Sequence, residues 1–180
     1  YSGTQKFLSV PPGLAPISFS QKAEDILDRR TSVVRSWYLD ANALRAYWGT
    51  ERTYHHTAPI SSILGLHEGL RIVLEEGLET RIARHAEVGK LFQEHIQDRG
   101  AELLSQEGYR LPQLTTFSLP GEGVEEAPLR KRLLEDHGIE VGGGLGDFAG
   151  RAWRVGLMGE GATHANVDRL LAAMDELLEG

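Results

Sequence analysis

The chain has 180 residues, 41% of them hydrophobic and 25% charged, with a formal net charge of −7 at pH 7, which is typical of a globular protein of one or two domains. The negative charge disfavours nucleic acid and anionic membranes as partners, because both are bound mainly through clustered lysine and arginine. The absence of cysteine excludes disulfides, a thiolate nucleophile and cysteine-ligated zinc. The sequence has no signal-peptide pattern and no apolar run near the roughly 18 residues that span a bilayer, so we expect a cytoplasmic protein.

The first 77 residues are predicted to form loops and helices. Residues 7–19 contain two short extended segments separated by Pro11-Pro12-Gly13, where the prolines lack the N–H that a strand needs and the glycine permits a turn. Ser20 is the predicted N-cap of the first helix. The predicted elements are a helix over 21–30, a short helical piece over 37–48, a loop over 50–57 and a longer amphipathic helix over 59–77.

Helices and strands alternate in the rest of the chain. The predicted elements are a helix over 78–97, a strand over 114–119, a helix over 128–136, and short strands over 139–141 and 152–158. The last helix is the clearest, because Thr163 is a suitable N-cap and the apolar residues after it repeat at the three- and four-residue spacing of a buried face. We predict a domain boundary near Gly77.

Lys6 is the first residue with a candidate chemical role. The run Tyr1-Ser-Gly-Thr-Gln-Lys6-Phe-Leu-Ser-Val-Pro-Pro-Gly13 sets it in a glycine-flanked turn between apolar stretches. An amine held in a dry, fixed position loses its proton more readily and becomes a nucleophile for carbonyl compounds, as a Schiff-base lysine requires. The alternative interpretation is a solvated loop lysine, because lysine side chains are mostly exposed.

Tyr54 and Thr57 flank a pair of histidines, His55 and His56. A phenol, a hydroxyl and backbone amides supply the several donors that a phosphate dianion needs, without a large positive charge. A metal at the histidines is disfavoured, because adjacent histidines do not share a helix face and no third ligand of matched spacing lies nearby in the sequence. We therefore predict no metal site.

Arg154 lies within the alternating run of Trp153, Val155 and Leu157, so a strand would point its guanidinium to the face opposite those three side chains. This planar, permanently charged group suits bidentate binding of a substrate carboxylate; the alternative is a surface arginine on an edge strand. Residues 144–149 formally fit the dinucleotide fingerprint G-x-G-x-x-A. We reject that interpretation, because a strand rather than a helix is predicted to follow.

Three segments, taken together, resemble the class V aminotransferases. They are SGTQKFLSVPPG at 2–13, YHHTAPISSILGLHEGL at 54–70 and GGLGDFAGRAWRVGLMG at 143–159. This family, which includes alanine–glyoxylate and serine–pyruvate aminotransferases, belongs to the fold-type I enzymes that depend on pyridoxal 5'-phosphate (PLP). The resemblance implies an α/β fold, with the C-terminal part of a large PLP-binding domain over residues 1–77 and a small α+β domain over residues 78–180.

The resemblance also implies roles for the residues singled out above. Lys6 would join the PLP aldehyde as an imine and then move the α-proton of the substrate. Gln5 would donate a hydrogen bond to the cofactor phosphate. Tyr54 and Thr57 would reach the phosphate of the neighbouring subunit in a homodimer, and Arg154 would bind the α-carboxylate of the substrate.

The chain begins five residues before Lys6 and without an initiator methionine, so we expect it to be the C-terminal half of such an enzyme, active only with its N-terminal half. The expected reaction moves an amino group between alanine or serine and glyoxylate or pyruvate. Transamination of aminoethylphosphonate or pyridoxamine on the same fold is one alternative. A non-catalytic remnant that serves as a dimerisation or interaction module is the other.

Overall fold

A computed structural model describes residues 1–121 and 123–179 as six helices and one small sheet. The helices are α1 (Gln21–Arg29), α2 (Ala41–Trp48), α3 (Ile60–Glu76), α4 (Leu78–Asp98), α5 (Glu126–His137) and α6 (His164–Glu179). The strands are β1 (Glu102–Leu103), β2 (Leu114–Ser118), β3 (Gly142–Gly143) and β4 (Ala152–Gly156). Among the described residues, no helix is long and apolar enough to cross a membrane.

The predicted helices are confirmed, and two of the predicted caps explain where they begin. The Ser20 hydroxyl accepts a hydrogen bond from the Ala23 amide at the start of α1, and the Thr163 hydroxyl accepts one from Asn166 at 3.2 Å at the start of α6. Each bond satisfies an amide that the helix itself leaves without a partner. The short helical piece over 37–48 is also confirmed, as a 3-10 turn at Trp37–Leu39 followed by α2.

The four strands form one antiparallel sheet in the order β1-β2-β4-β3. Phe117 of β2 pairs with Trp153 of β4, and both side chains are buried against helices α4, α5 and α6. Their strand neighbours point to the other face, because successive side chains of a strand alternate. The helices therefore cover one face of the sheet, and Arg154 lies on the opposite face, as the alternation predicted.

Three sequence predictions about strands need correction. No strand forms over residues 7–19: residues 7 and 8 lie in a turn, and the amides of Ser9 and Val10 bond within the loop, to the carbonyls of Lys6 and Thr4. The strand predicted over 139–141 lies at 142–143, because the Ile139 amide bonds to the Leu133 carbonyl at the end of α5. Strand β1 was missed, because two residues are too few to show a period.

The main apolar core of the described residues lies in α4 and the elements that follow it. All eighteen buried residues of its main cluster fall between Val88 and Leu177, and they come from α4, α5, α6, the sheet and the segments next to them. Helices α3 and α4 are separated only by Gly77. The division into domains at 1–77 and 78–180 stays a prediction.

Candidate active site

The Lys6 segment is a closed turn. The Val10 amide donates to the Thr4 carbonyl at 3.2 Å and the Ser9 amide to the Lys6 carbonyl at 3.0 Å, so Lys6 lies on a short loop whose two ends meet. Thr4 is completely buried at the base, where its hydroxyl donates to the Pro11 carbonyl at 2.9 Å. Backbone bonds at both ends fix the direction in which the Lys6 side chain leaves the loop.

Lys6 and its neighbour Gln5 are both exposed. The sequence predicted a dry position for the lysine, and the described residues do not provide one. Among residues 1–121 and 123–179, the Lys6 amine has no ionic partner. An amine without a partner is available to react with a carbonyl compound, but any dry enclosure has to come from groups outside this chain.

The turn Gly159–Gly161, just beyond β4, holds the far side of the Lys6 loop. The Glu160 amide donates to the Ser9 hydroxyl at 2.7 Å. Ser9 has a φ of 56° and Gly159 a φ of 58°, the left-handed region that favours glycine. A Cβ added to Gly159 would collide with the Ser9 side chain and crowd the Phe7 carbonyl. The two turns are in contact through backbone and short side chains, which leaves little freedom between them.

Helix α3 approaches the Lys6 loop from another side at Gly69. A Cβ at this position would collide with the Val10 side chain and lie 3.0 Å from the Leu8 carbonyl. Both Val10 and Gly69 are buried. Only glycine therefore lets the helix and the loop pack at this distance.

A buried ionic cluster joins α4 to this junction. The Arg81 side chain is completely buried and pairs through Nη1 with Glu76 at 2.6 Å and Glu160 at 2.7 Å. Its Nη2 donates to the Phe7 carbonyl at 2.8 Å. Arg84 pairs with Glu76 at 2.7 Å. The hydrogen bond from Arg84 is the largest cause that lowers the pKa of Glu76, to about 2; the bond from Arg81 also lowers it, and desolvation opposes the shift. Glu76 therefore stays ionised over the whole pH range in which the protein is expected to fold.

His85 completes the cluster as a neutral side chain. Its Nε2 accepts the Gly159 amide at 2.8 Å, and its Nδ1 lies 2.7 Å from the Arg81 carbonyl, which can only accept. The proton of the neutral ring is therefore on Nδ1. Burial is the largest cause that lowers the pKa of His85, although its bond to the Arg81 carbonyl opposes the shift. The ring also packs on Phe7 with centroids 4.7 Å apart.

Arg154 lies at the centre of β4, half-buried and next to β3. Its Nε donates to the Gly143 carbonyl at 2.7 Å, and its ladder partners are Thr116 of β2 and Gly142 of β3. This bond restrains the plane of the guanidinium, and among the described residues its Nη groups make no hydrogen bond. A guanidinium fixed through Nε still presents donors that fit a carboxylate.

Tyr54 and Thr57 lie side by side on an exposed loop, with their oxygens 3.1 Å apart. Behind them, His55 is buried and stacked on Trp37 with centroids 4.1 Å apart, and its Nε2 lies 3.0 Å from the Trp37 carbonyl. Since that carbonyl can only accept, Nε2 carries a proton, and the Nδ1 of a neutral His55 accepts from His56 at 2.8 Å. The histidines support the loop that presents the two hydroxyls.

The structure brings the predicted residues together in two groups. Gln5 and Lys6 share one loop, which touches the turn after the strand of Arg154. Tyr54 and Thr57 form a separate pair, and no hydrogen bond among the described residues joins that pair to Lys6 or Arg154. Two surface depressions, one beside Gln93 and Thr115 and the other beside Arg84 and His164, contain none of these residues.

The sequence interpretation missed Arg81 and His85. Both lie on the stripe of α4 that continues through Val88, Phe92 and Ile96, at the spacing that marks a buried helix face. That spacing alone indicates that the two polar side chains are buried, and buried polar groups need partners. Their partners could not be predicted, because Phe7 and Glu160 are distant in sequence.

Comparison with known proteins identifies the family. No family model matches the chain. It is 39% identical over 183 residues to alanine–glyoxylate aminotransferase of Oryctolagus cuniculus, a match that covers 99% of this chain and 46% of that protein. It is 35% identical over 194 residues to (S)-ureidoglycine–glyoxylate transaminase of Bacillus subtilis, covering 98% and 46%.

A solved structure agrees with these sequence matches. The crystal structure of alanine–glyoxylate aminotransferase from Nostoc sp. matches with a TM-score of 0.92 at 45% identity, covering 98% of this chain and 46% of that one. The fold is that of the PLP-dependent fold-type I enzymes, and within it the chain belongs to the class V aminotransferases, of which it represents a C-terminal part. The predicted family and fold class are confirmed. The chain spans about half the length of the curated relatives that it matches.

Proposed function

We propose that the intact protein is a PLP-dependent aminotransferase that moves an amino group between a small amino acid, alanine or serine, and a small 2-oxo acid, glyoxylate or pyruvate. The names of both sequence relatives contain glyoxylate, which favours that oxo acid. Lys6 is the proposed catalytic residue, and Arg154 is the proposed substrate-binding residue.

The observation that carries this proposal is the contact between the Lys6 loop and the turn after β4. Glu160 donates its amide to Ser9, three residues from Lys6, and follows Arg154 by six residues. The proposed nucleophile and the proposed carboxylate-binding group thus lie on neighbouring segments joined by a hydrogen bond. Fixed spacing between these two groups is what orientation of a small substrate requires.

The residues of this chain fit the cofactor. Lys6 presents an exposed amine that has no ionic partner among the residues described by the structure. Tyr54 and Thr57 present two hydroxyls 3.1 Å apart that suit phosphate oxygens. Gln5, next to Lys6, adds an exposed amide. When bound, PLP supplies an aldehyde and a ring that takes up the electron pair released at the substrate Cα.

Each side chain has a task that its own chemistry allows. The Lys6 amine would attack a carbonyl carbon and, once free again, would take the proton from the substrate Cα and move it to the cofactor. The Arg154 guanidinium donates to the carboxylate of either substrate, and its bond to Gly143 sets the plane in which the carboxylate lies. Both side chains can act on the amino acid and on the oxo acid in the same way, as the reversible exchange of an amino group between them requires.

We propose that the working assembly is a homodimer with shared active sites. Tyr54 and Thr57 are exposed and are not bonded to Lys6 of the same chain. Their hydroxyls are therefore proposed to donate to the cofactor phosphate of the second subunit. The N-terminal half of the same enzyme is the other proposed partner. Mixing a Lys6→Ala subunit with a Tyr54→Ala, Thr57→Ala subunit tests sharing: activity should return in the mixed dimer, and its absence would contradict shared sites.

The direct test of the function is visible absorption of the intact protein with added PLP. We expect a band from cofactor joined to a lysine amine, its loss in Lys6→Ala, and its retention in Lys22→Ala, since Lys22 is an exposed lysine on α1. A band that survives Lys6→Ala would contradict the role of Lys6. A wild-type protein that never takes up PLP would favour the non-catalytic remnant instead.

Arg154 is tested by substrate saturation. Arg154→Ala should keep the absorption band but lose saturation with the amino and oxo acids, because the carboxylate has no other proposed partner here. Arg151→Ala is the matched control, because Arg151 is exposed and its side chain donates only to the Asp147 carbonyl among the described residues. Equal kinetics in the two variants would contradict the assignment.

A further inference from the structure

We propose that Arg81 is a positioning residue, whose buried guanidinium fixes the Lys6 loop against the turn that follows the strand of Arg154. The proposal rests on the proposed function for what Lys6 and Arg154 do. It goes beyond that function, because it names the side chain that fixes the Lys6 loop relative to the turn after the strand of Arg154.

The bonds of Arg81 lead directly to the lysine. Its Nη2 and Nε donate to the Phe7 carbonyl at 2.8 and 3.3 Å, one residue after Lys6. Its guanidinium also lies over the Phe7 ring, 5.1 Å from the centroid. Among the described residues no other side chain donates to this carbonyl, so Arg81 adds a side-chain bond to the backbone next to the proposed nucleophile.

The same guanidinium bonds to the other side of the junction. Its Nη1 pairs with Glu160 at 2.7 Å, and the Glu160 amide in turn donates to Ser9 at 2.7 Å. The three links from Phe7 to Arg81, Arg81 to Glu160 and Glu160 to Ser9, together with the backbone from Phe7 to Ser9, form a closed ring. Such a ring resists movement of the loop and the turn relative to each other, because any shift stretches more than one bond at once.

Stability alone does not account for a buried arginine here. Taking a guanidinium out of water is unfavourable, and buried ion pairs can often be replaced by apolar groups without loss of stability. Arg84 already links Glu76 to the carbonyls of Gly159 and Ala162, at 3.0 and 2.6 Å. What Arg81 adds is the bond to Phe7, and this bond needs the planar fork of arginine, which lysine lacks.

The experiment compares Arg81→Lys with Arg99→Lys in the intact, PLP-loaded protein. Arg99 is a matched control, because it makes a half-buried bidentate pair with Asp175 at the other end of α4, at 2.7 Å for both bonds. Amide hydrogen exchange is followed by mass spectrometry on the peptide over residues 7–10, where the Ser9 and Val10 amides bond within the loop. Values of kcat and KM are measured in parallel.

We expect Arg81→Lys to speed exchange over 7–10 about tenfold or more, and to lower kcat by about 10- to 100-fold, the range that a displacement of about 1 Å can cause. The KM for the oxo acid, which depends on Arg154, should change less than about threefold. Arg99→Lys should leave all three values near the wild type. Unchanged exchange over 7–10 in Arg81→Lys overturns the proposal, whatever the kinetics.

Two further arms keep the outcomes separate. If Arg81→Lys does not fold, Glu160→Gln replaces it, because this change weakens one bond of the ring while the Glu160 backbone amide still donates to Ser9. Faster exchange over 7–10 then supports the proposal, and wild-type exchange overturns it. If the wild type proves inactive, the proposed function fails, but the exchange measurement still decides whether Arg81 fixes the loop.

Discussion

Residues 1–59 and residues 88–177 differ in how they are held. The first segment has only three buried residues, Thr4, Val10 and His55, yet it carries Lys6 and Tyr54. The second has a continuous apolar core of eighteen buried side chains. The comparison teaches that most of the proposed chemistry lies on a segment with few buried residues, and that its Lys6 loop is packed against α3, α4 and the turn after β4.

The largest effect expected from this comparison is in the core. Phe117→Ala should lower the free energy of unfolding by about 3–5 kcal/mol, because Phe117 is fully buried against Phe92 and Trp153. Phe19→Ala, at a residue that is 44% exposed in the first segment, should cost less than about 1 kcal/mol. Urea unfolding of the intact variants measures both. Equal losses would contradict the difference between the two segments.

The next effect is at the junction of the two segments. Gly159→Ala should destabilise the protein by about 2 kcal/mol or more, because alanine is unfavourable at a φ of 58° and its Cβ would collide with Ser9. The matched control is Gly161→Ala, at a position where a Cβ meets nothing within 4 Å. Thermal unfolding compares them, and a Gly159→Ala protein as stable as the control would show that the two turns do not press on each other.

A smaller effect separates two equivalent helix caps. Thr163→Ala should cost about 1 kcal/mol, because α6 packs into the core and loses the bond to the Asn166 amide. Ser20→Ala removes the same kind of bond from α1, which has no buried residue, so its effect on global unfolding should stay within about 0.5 kcal/mol. A larger loss of unfolding free energy in Ser20→Ala than in Thr163→Ala, measured by urea unfolding, would contradict the difference between the two segments.

The smallest effect is a pH dependence at His85. Its folded pKa lies below the ordinary 6.5, so the unfolded chain binds the proton more readily, and the stability that the neutral ring contributes is present above about pH 6.5 and lost as the pH falls below it. His85→Gln keeps an acceptor for the Gly159 amide without a titrating ring. Unfolding free energies at pH 7.5 and 5.5 should fall more in the wild type than in this variant; parallel losses would contradict the assignment.

Local patterns predicted the helices and the orientation of Arg154, because caps, apolar spacing and strand alternation depend on residues close in sequence. The same patterns failed where distant residues decide the structure. The extended segment predicted before Pro11 forms no strand, because the amides of Ser9 and Val10 bond within the Lys6 loop. The burial of Arg81 depends on Glu160, 79 residues away. The roles of Lys6 and Arg154 came from family resemblance and stay predictions.

The central claim is tested most directly by finding which lysine binds the cofactor. The chain has four lysines, Lys6, Lys22, Lys90 and Lys131. Borohydride reduction of the intact protein with PLP fixes the cofactor to the amine that holds it, and peptide mass spectrometry then locates the label. The account predicts one label, on the peptide that contains Lys6. A label on any other lysine of the intact protein, or none at all, would contradict it.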